Sequence, residues 1–279
     1  MPCDANRIAS DLETRFGERL PEIGSTTGLD LLASMAGRGS CRRFKTQPVR
    51  ADLIRTLCAI ALAAPSKSDL QQRDIIVLND PAQRLRLVKL VAEQGWVSAA
   101  PALLVFCGNN RRQRQLHEWR GYTFANDHLD AFFNATVDAA IALSAFVTAA
   151  EAVGLGCCPI SAVRNRAAEV SGLLNLPEHV FPVAGLALGY PEEKTSISLR
   201  LPLGLTVHED RYTDATTPEA IDAYDVRRES VQPYAQQRLS DSLGTTDRYG
   251  WSEDKARQYS VPERQDFGDF VRSKGFNLK

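Results

Sequence analysis

The chain reads as an α+β protein, and three features carry that reading. One apolar stretch of helical length, AFFNATVDAAIALSAFVTAAEAVGLG from Ala131 to Gly156, exceeds every other in the chain. Three or four short apolar runs with strand character stand between helical patterns, too few for a regular βαβ repeat. No GxGxxG follows any of them, which argues against a dinucleotide-binding Rossmann site.

The long stretch predicts a core helix buried on most sides, from Phe132 to Val153. Small residues such as Ala135, Ala139 and Ala142 would let it pack closely on a partner helix or on its own copy in a dimer. Asn134, Asp138, Ser144, Thr148 and Glu151 break it too often for a membrane span. Gly154 and Gly156 predict its stop in the manner of left-handed C-caps.

In chain order, residues 1–26 carry a weak helical pattern (Ile8, Leu12, Phe16, Leu20) and read as an N-terminal extension. Leu29 to Met35 predicts a short helix ending at Gly37, followed by the basic turn or extended piece RGSCRRF, residues 38–44. Leu53, Ile54, Leu57, Ile60 and Ala61 recur at helical spacing until Pro65 stops them. The polar loop PSKSDLQQ leads into a strand over Arg73–Asn79, and Asp80-Pro81 opens an amphipathic helix to about Glu93. Pro101–Cys107 is strand-like; residues 108–128 read as a loop or short helix forming a mobile cover. Beyond the long helix, a turn is expected at Cys157–Ile160, a helix over Arg164–Leu174 and a buried strand over Phe181–Gly189. The charged tail predicts helices around Pro218–Arg228 and Asp254–Lys274, with turn formers over Ser240–Gly250.

At 279 residues and 44% hydrophobic, the chain can bury a substantial core as one or two domains. A formal net charge of −1 offers no global attraction to nucleic acid or an anionic membrane. Six cysteines lack CxxC spacing and four dispersed histidines form no HExxH, so no metal site is expected. Buried reduced thiols and no recognisable secretory signal suit a cytoplasmic protein.

Chemistry singles out four places. Arg38, Arg42 and Arg43 with Ser40 form a set able to fork onto a phosphate, against the alternative of a solvated basic turn. Ser66, Lys67, Ser68, Gln71 and Gln72 can hydrogen-bond a sugar chain or a heteroaromatic edge, or form a plain loop. Pro159 to Asn165, with Arg164, follows the helix exit and can turn backbone N–H groups toward a ligand. Arg200 offers one more phosphate partner. No nucleophile–base–orienter set emerges, so no side chain is assigned as catalytic; this suits a cofactor that carries the chemistry itself.

Five stretches then combine into a resemblance: RGSCRRF with Pro48; AAPSKSDLQQRDIIVLND; Gln94 and Val97 ahead of AAPALLVFC; AEAVGLGCCPISAVRN; and LNLPEHVFPVAGLALGYPEE with SLRLPLGLTVHEDRY beyond. Together they resemble the nitroreductase family of flavin mononucleotide (FMN) oxidoreductases, most closely its oxygen-insensitive NADPH nitroreductase and NADPH–flavin reductase branch. The likeness spans about residues 34–279. It divides the chain into an extension, 1–30, and a nitroreductase-like FMN-binding domain with a C-terminal arm, 31–279.

The resemblance implies an intertwined α+β homodimer with a central mixed sheet flanked by helices and FMN at the subunit interface. On this chain it implies that Arg38, Ser40 and Arg42 hold the flavin phosphate and ribityl chain, with Arg200 as a further phosphate ligand. Ser66, Ser68 and Gln71 would approach the flavin from the other subunit. Gln94 would sit at its pyrimidine edge, and Ile160, Ser161 and Ala162 would make backbone contacts to the ring. Arg238 would grip the 2′-phosphate of NADPH. Tyr122 and Phe124 are candidates to line the acceptor side as a lid, against the alternative of surface packing. The implied reaction is ping-pong: NADPH, or NADH, reduces the flavin and leaves, then a planar nitroaromatic, quinone or free flavin is reduced. Same-fold alternatives are reductive removal of a substituent, flavin fragmentation, or a non-catalytic flavin-binding dimer. The chain departs from the branch at Gly39, at Pro159, at Ser161-Ala162 and at Ser198, where the branch has a second basic residue, an aromatic, a glycine pair and a lysine.

Overall fold

The computed structural model describes residues 5–21, 23–24, 26–91 and 95–279, which fall into two compact units. The larger unit comprises residues 39–196 and 264–279; the smaller comprises 1–38 and 197–263.

The larger unit is built on four strands: β1 (Arg73–Val77), β2 (Ala102–Asn109), β3 (Gly156–Ile160) and β4 (Val180–Gly189). Their spatial order is β1-β2-β4-β3. All three neighbouring pairs are antiparallel, so the parallel pairing of a mixed sheet is not among the pairs these strands make. In β2, Leu103, Val105 and Cys107 pack with Leu87, Val88 and Val91 of α4 (Pro81–Val91) and with Val170 and Leu173 of α7 (Ala167–Leu173). The alternate residues Ala102, Leu104 and Phe106 pack with α3 (Ala51–Leu62) and α6 (Leu129–Ala152). Helices therefore cover both faces of the sheet, which is why β2 and β4 are almost wholly apolar rather than alternating. α5 (Arg111–Arg120) and α11 (Phe267–Ser273) complete this unit.

α6 is the long helix expected, about 36 Å at 1.5 Å per residue. It is the only helix among the described residues long and apolar enough to cross a membrane, yet its alanines and Phe146 pack into the protein. Burial on most sides is not observed. Phe133, Val137, Ala140 and Ser144 form an exposed stripe at i, i+4, i+7 and i+11, because the sheet covers only one side. Gly154 adopts φ 82° just past the helix, as the left-handed stop requires, whereas Gly156 is the first residue of β3.

The turn expected at Cys157–Ile160 is instead strand β3, paired from Gly156↔Gly189 to Ile160↔Gly185. Pro159 is tolerated because β3 lies at the sheet edge, where a missing N–H costs little. The helix expected over Arg164–Leu174 is α7, which starts later at Ala167, and a 3₁₀ turn over Ser161–Arg164 precedes it.

The smaller unit holds α1 (Ala5–Phe16), α2 (Leu29–Ala36), α8 (Pro218–Val231), α9 (Ser240–Leu243) and α10 (Trp251–Tyr259). Ile8 of α1 packs with Ala33 and Ala36 of α2, and Trp251 of α10 stands edge-on to Tyr224 of α8 at 5.4 Å. The single helix expected over Asp254–Lys274 is two, α10 and α11. Pro262 between them has no N–H to continue the helix, and Arg264 turns left-handed at φ 56°.

Candidate functional site

In the larger unit, residues 41–45 lie extended along the sheet. Cys41 N–H donates to the Cys157 carbonyl at 2.9 Å, Lys45 N–H to the Tyr190 carbonyl at 2.8 Å, and Phe44 bridges Pro191. Cys41 and Phe44 are buried by this pairing, while Arg42 and Arg43 stay exposed. Arg43 takes both nearby carboxylates, Glu192 at 3.4 Å and Glu193 at 3.2 Å. Arg42 instead stands over Trp96, its guanidinium carbon 5.7 Å from the ring centroid. Ser40, two residues earlier, is half-buried on the same segment.

The second predicted patch is a tight loop between α3 and β1. Ser68, Asp69 and Gln71 all adopt left-handed backbone, with φ 48°, 55° and 51°. Ser66 Oγ accepts from Gln71 N–H at 2.7 Å, closing the loop on itself, and Ser68 and Gln71 are left exposed. The third patch follows β3. Ile160 and Ala162 are buried, while Ser161 is exposed within reach of Arg264 Nη2 at 3.5 Å. Arg164 donates to the Val183 carbonyl, binding the turn to β4.

Phe124 and Tyr122 differ. Tyr122 is 73% exposed, whereas Phe124 lies under Arg114 (4.6 Å to the guanidinium carbon) and edge-on to His117. Phe124 lines a cavity of about 160 Å³ together with Lys67, Leu70, Gln72, Asn110 and His117. A chain of donors fixes one wall of it: Arg114 Nε donates to Asn110 Oδ1, and Asn110 Nδ2 to Gln72 Oε1. Arg114 also binds Asp127 at 2.6 Å and so holds that carboxyl below the usual carboxylate range. Gln94 lies outside the described residues.

In the smaller unit stand Arg38, Arg200 and Arg238. A residue that sequence reasoning passed over organises the first two. Arg15, in the last turn of α1, is 7% exposed and donates to three carbonyls: Ser198 at 2.9 Å, Ala36 at 3.0 Å and Arg38 at 2.6 Å. Its own carbonyl accepts the Arg200 N–H at 2.8 Å, and Arg227 Nη2 donates to the Arg200 carbonyl at 2.6 Å. The Arg200 side chain is exposed. Arg238 Nε is engaged at 3.1 Å by Asp254, a carboxylate 1% exposed that also accepts from Tyr249 at 2.9 Å and Lys255 at 2.6 Å.

Comparison with known proteins decides the family. The nitroreductase family profile matches residues 35–190, and the profile of its C-terminal domain matches residues 198–279. The chain belongs to the nitroreductase family. An FMN reductase [NAD(P)H] of Bacillus subtilis (strain 168) is 30% identical over 254 residues, spanning 90% of this chain and 99% of that protein. An oxygen-insensitive NADPH nitroreductase of Salmonella typhimurium is 36% identical over 178 residues, 64% of this chain and 72% of that protein. Among solved structures, B. megaterium NfrA2 superposes with a TM-score of 0.80 at 27% identity, covering 90% of this chain and 99% of that one. Relatives divide among several flavin reductase and nitroreductase names, and the family supports an oxidoreductase role without fixing a substrate.

Gly39 and Ser198 each meet a close partner within their own unit. A Cβ on Gly39 would lie 2.1 Å from the Ser196 carbonyl oxygen, so the close approach of backbone leaves no room for a side chain there. The Ser198 carbonyl accepts from Arg15 of α1 at 2.9 Å.

Proposed function

We propose that the chain is an FMN-dependent NAD(P)H oxidoreductase that works as a homodimer and reduces planar acceptors such as nitroaromatics, quinones or free flavin. The single observation that carries this reading is the division of labour on the extended segment 40–43. Arg43 is engaged by Glu192 and Glu193, while Arg42, with Ser40 two residues earlier on the same segment, keeps its charge for a ligand at the sheet edge. A guanidinium and a hydroxyl so placed fit a phosphate and a hydroxylated chain.

On this reading Arg38, Ser40, Arg42 and Arg200 hold the phosphate end of FMN. Ser66, Ser68 and Gln71 face it from the partner, Gln94 meets its pyrimidine edge, and Ile160, Ser161 and Ala162 shape the floor under the ring. When bound, FMN supplies the two-electron chemistry. The side chains bind, orient and exclude water, and the buried apolar residues behind Ile160 and Ala162 keep the floor rigid. Phe124, seated beside Lys67 and Leu70, contributes an aromatic wall for the acceptor with Tyr122 farther out, and broad acceptor range follows from recognition by stacking. Arg238 engages the 2′-phosphate of NADPH, with Asp254 fixing its Nε.

The NADPH-preferring branch is the finer reading, and anaerobic titration tests it. Purified protein should be yellow, bleach with NADPH more readily than with NADH, and recolour with a quinone. Protein that stays yellow with both nicotinamides is a flavin-binding dimer without turnover. Colourless protein that takes up no added FMN sinks the proposal.

A further inference from the structure

The buried carboxylate of Asp138 holds the 66–72 loop in shape from the middle of α6. Asp138 is 1% exposed and is the buried carboxylate of α6, whose other two, Asp130 and Glu151, are not buried. Its Oδ2 accepts from Ser66 Oγ at 2.8 Å and from Gln72 N–H at 2.8 Å, and its Oδ1 accepts from Lys67 N–H at 3.1 Å. Arg73 Nη1 lies 3.7 Å from Oδ2, while Arg73 Nη2 donates to the Leu62 and Ala64 carbonyls at the end of α3. One carboxylate thus joins both ends of the loop to the helix before it. A buried charge is tolerated only when paired and hydrogen-bonded, and every partner found for Asp138 belongs to the loop or to Arg73, the residue after it.

Between these anchors the chain makes three left-handed turns at non-glycine residues, Ser68, Asp69 and Gln71. L-residues adopt that conformation at a cost, and it persists where the surroundings over-determine it. Ser66 couples the two demands: its Oγ donates to Asp138 and accepts from Gln71 N–H. A second tie, Lys67 Nζ to Asp130 at 3.1 Å, runs to the same helix two turns earlier but is exposed and screened.

We infer that Asp138 is a positioning residue for flavin binding: it sets the loop geometry that presents Ser68 and Gln71, without touching the flavin itself. The inference rests on the proposed role of that loop.

The test pairs FMN affinity with loop protection in the full-length chain. Asp138→Asn keeps the size but turns an acceptor into a donor facing the Lys67 or Gln72 N–H. FMN dissociation constants, read by quenching of flavin fluorescence, should rise at least tenfold. The visible circular dichroism of bound FMN should change as well. In a Ser68→Ala background the same substitution should cost less than threefold, the non-additivity expected of residues acting through one another. In flavin-free protein, exchange at the Lys67 and Gln72 amides should speed tenfold, while exchange at Ala142 of α6 stays unchanged.

Wild-type affinity in Asp138→Asn, or effects that simply add with Ser68→Ala, overturns the inference. A wild-type chain that binds no FMN refutes the functional reading instead, and the exchange comparison still decides whether Asp138 holds the loop. If Asp138→Asn fails to fold, Asp138→Glu replaces it, keeping the carboxylate but displacing it by one methylene from the Lys67 and Gln72 N–H groups. Exchange at those two amides and the FMN dissociation constant should then both rise, and wild-type values for both defeat the idea.

Discussion

Replacing Arg15 with methionine should loosen the smaller unit, and the geometry sets the size of the loss. The guanidinium donates to the carbonyls of Ala36, Arg38 and Ser198; the first bond is buried and the other two are partly so. A hydrogen bond involving a charged group contributes about 1.5–3 kcal/mol when its partner is left unsatisfied. Water can reach the other two carbonyls, so each adds about 0.5 kcal/mol, for a total near 3 kcal/mol. Methionine keeps much of the apolar stem and removes only the fork. Lysine keeps the charge but offers a point donor to three diverging carbonyls, and should recover less than half of the loss. The assay is urea unfolding followed by Trp251 fluorescence, with Trp96 and Trp119 replaced by phenylalanine so that the signal reports α10 alone. A loss below about 0.5 kcal/mol in Arg15→Met, the range of an ordinary surface change, refutes the reasoning.

Four more expectations can be measured directly. Gly39→Ala, whose Cβ would meet the Ser196 carbonyl at 2.1 Å, should cost about 1–3 kcal/mol in a thermal melt; an unchanged melt denies the close approach. Arg200→Ala should weaken FMN retention at least tenfold on dialysis, and unchanged retention removes Arg200 from the phosphate site. Burial pushes the Asp254 carboxyl up, but hydrogen bonds from Lys255 and Tyr249 outweigh it and hold the group below the usual range. Its folded pKa is depressed, so its contribution is present above the unfolded value of about 3.9 and is lost as pH falls through the folded one. The stability difference between wild type and Asp254→Asn should therefore be flat from pH 5 to 8 and shrink below pH 4; a difference that grows on acidification contradicts the sign. Burial pushes the Cys107 thiol up to about 12, so it should resist maleimide labelling at pH 8 until the chain is unfolded.

Most secondary structure was legible in the sequence because it is a local matter. The helix stop at Gly154, the Asp80-Pro81 start of α4 and the apolar runs of β2 and β4 each depend on neighbours a few residues away. The misreadings have different causes. Pro159 looks like a turn until β4 lies beside it, and a tail read as one helix divides at Pro262. α6 looked buried on most sides because apolar content was read as burial; an exposed stripe on an apolar helix carries the same composition.

The candidate site was legible only in its residue types. Arg42 and Arg43 are equivalent on paper, and the two glutamates that separate their roles lie about 150 residues away. Asp138 did leave a trace, as one of the polar residues breaking the apolar run, yet its partners Ser66 and Gln72 are 72 and 66 residues distant. Arg15 and Ser198 are 183 residues apart, and no periodicity connects them. Sequence alone determined the α+β class, the long central helix and the family, because backbone propensity, apolar periodicity and motif order are written along the chain. Tertiary structure decided which charges are spent on other charges and which backbone a buried side chain holds. Those pairings follow from distances in space that the fold closes and the linear order does not contain.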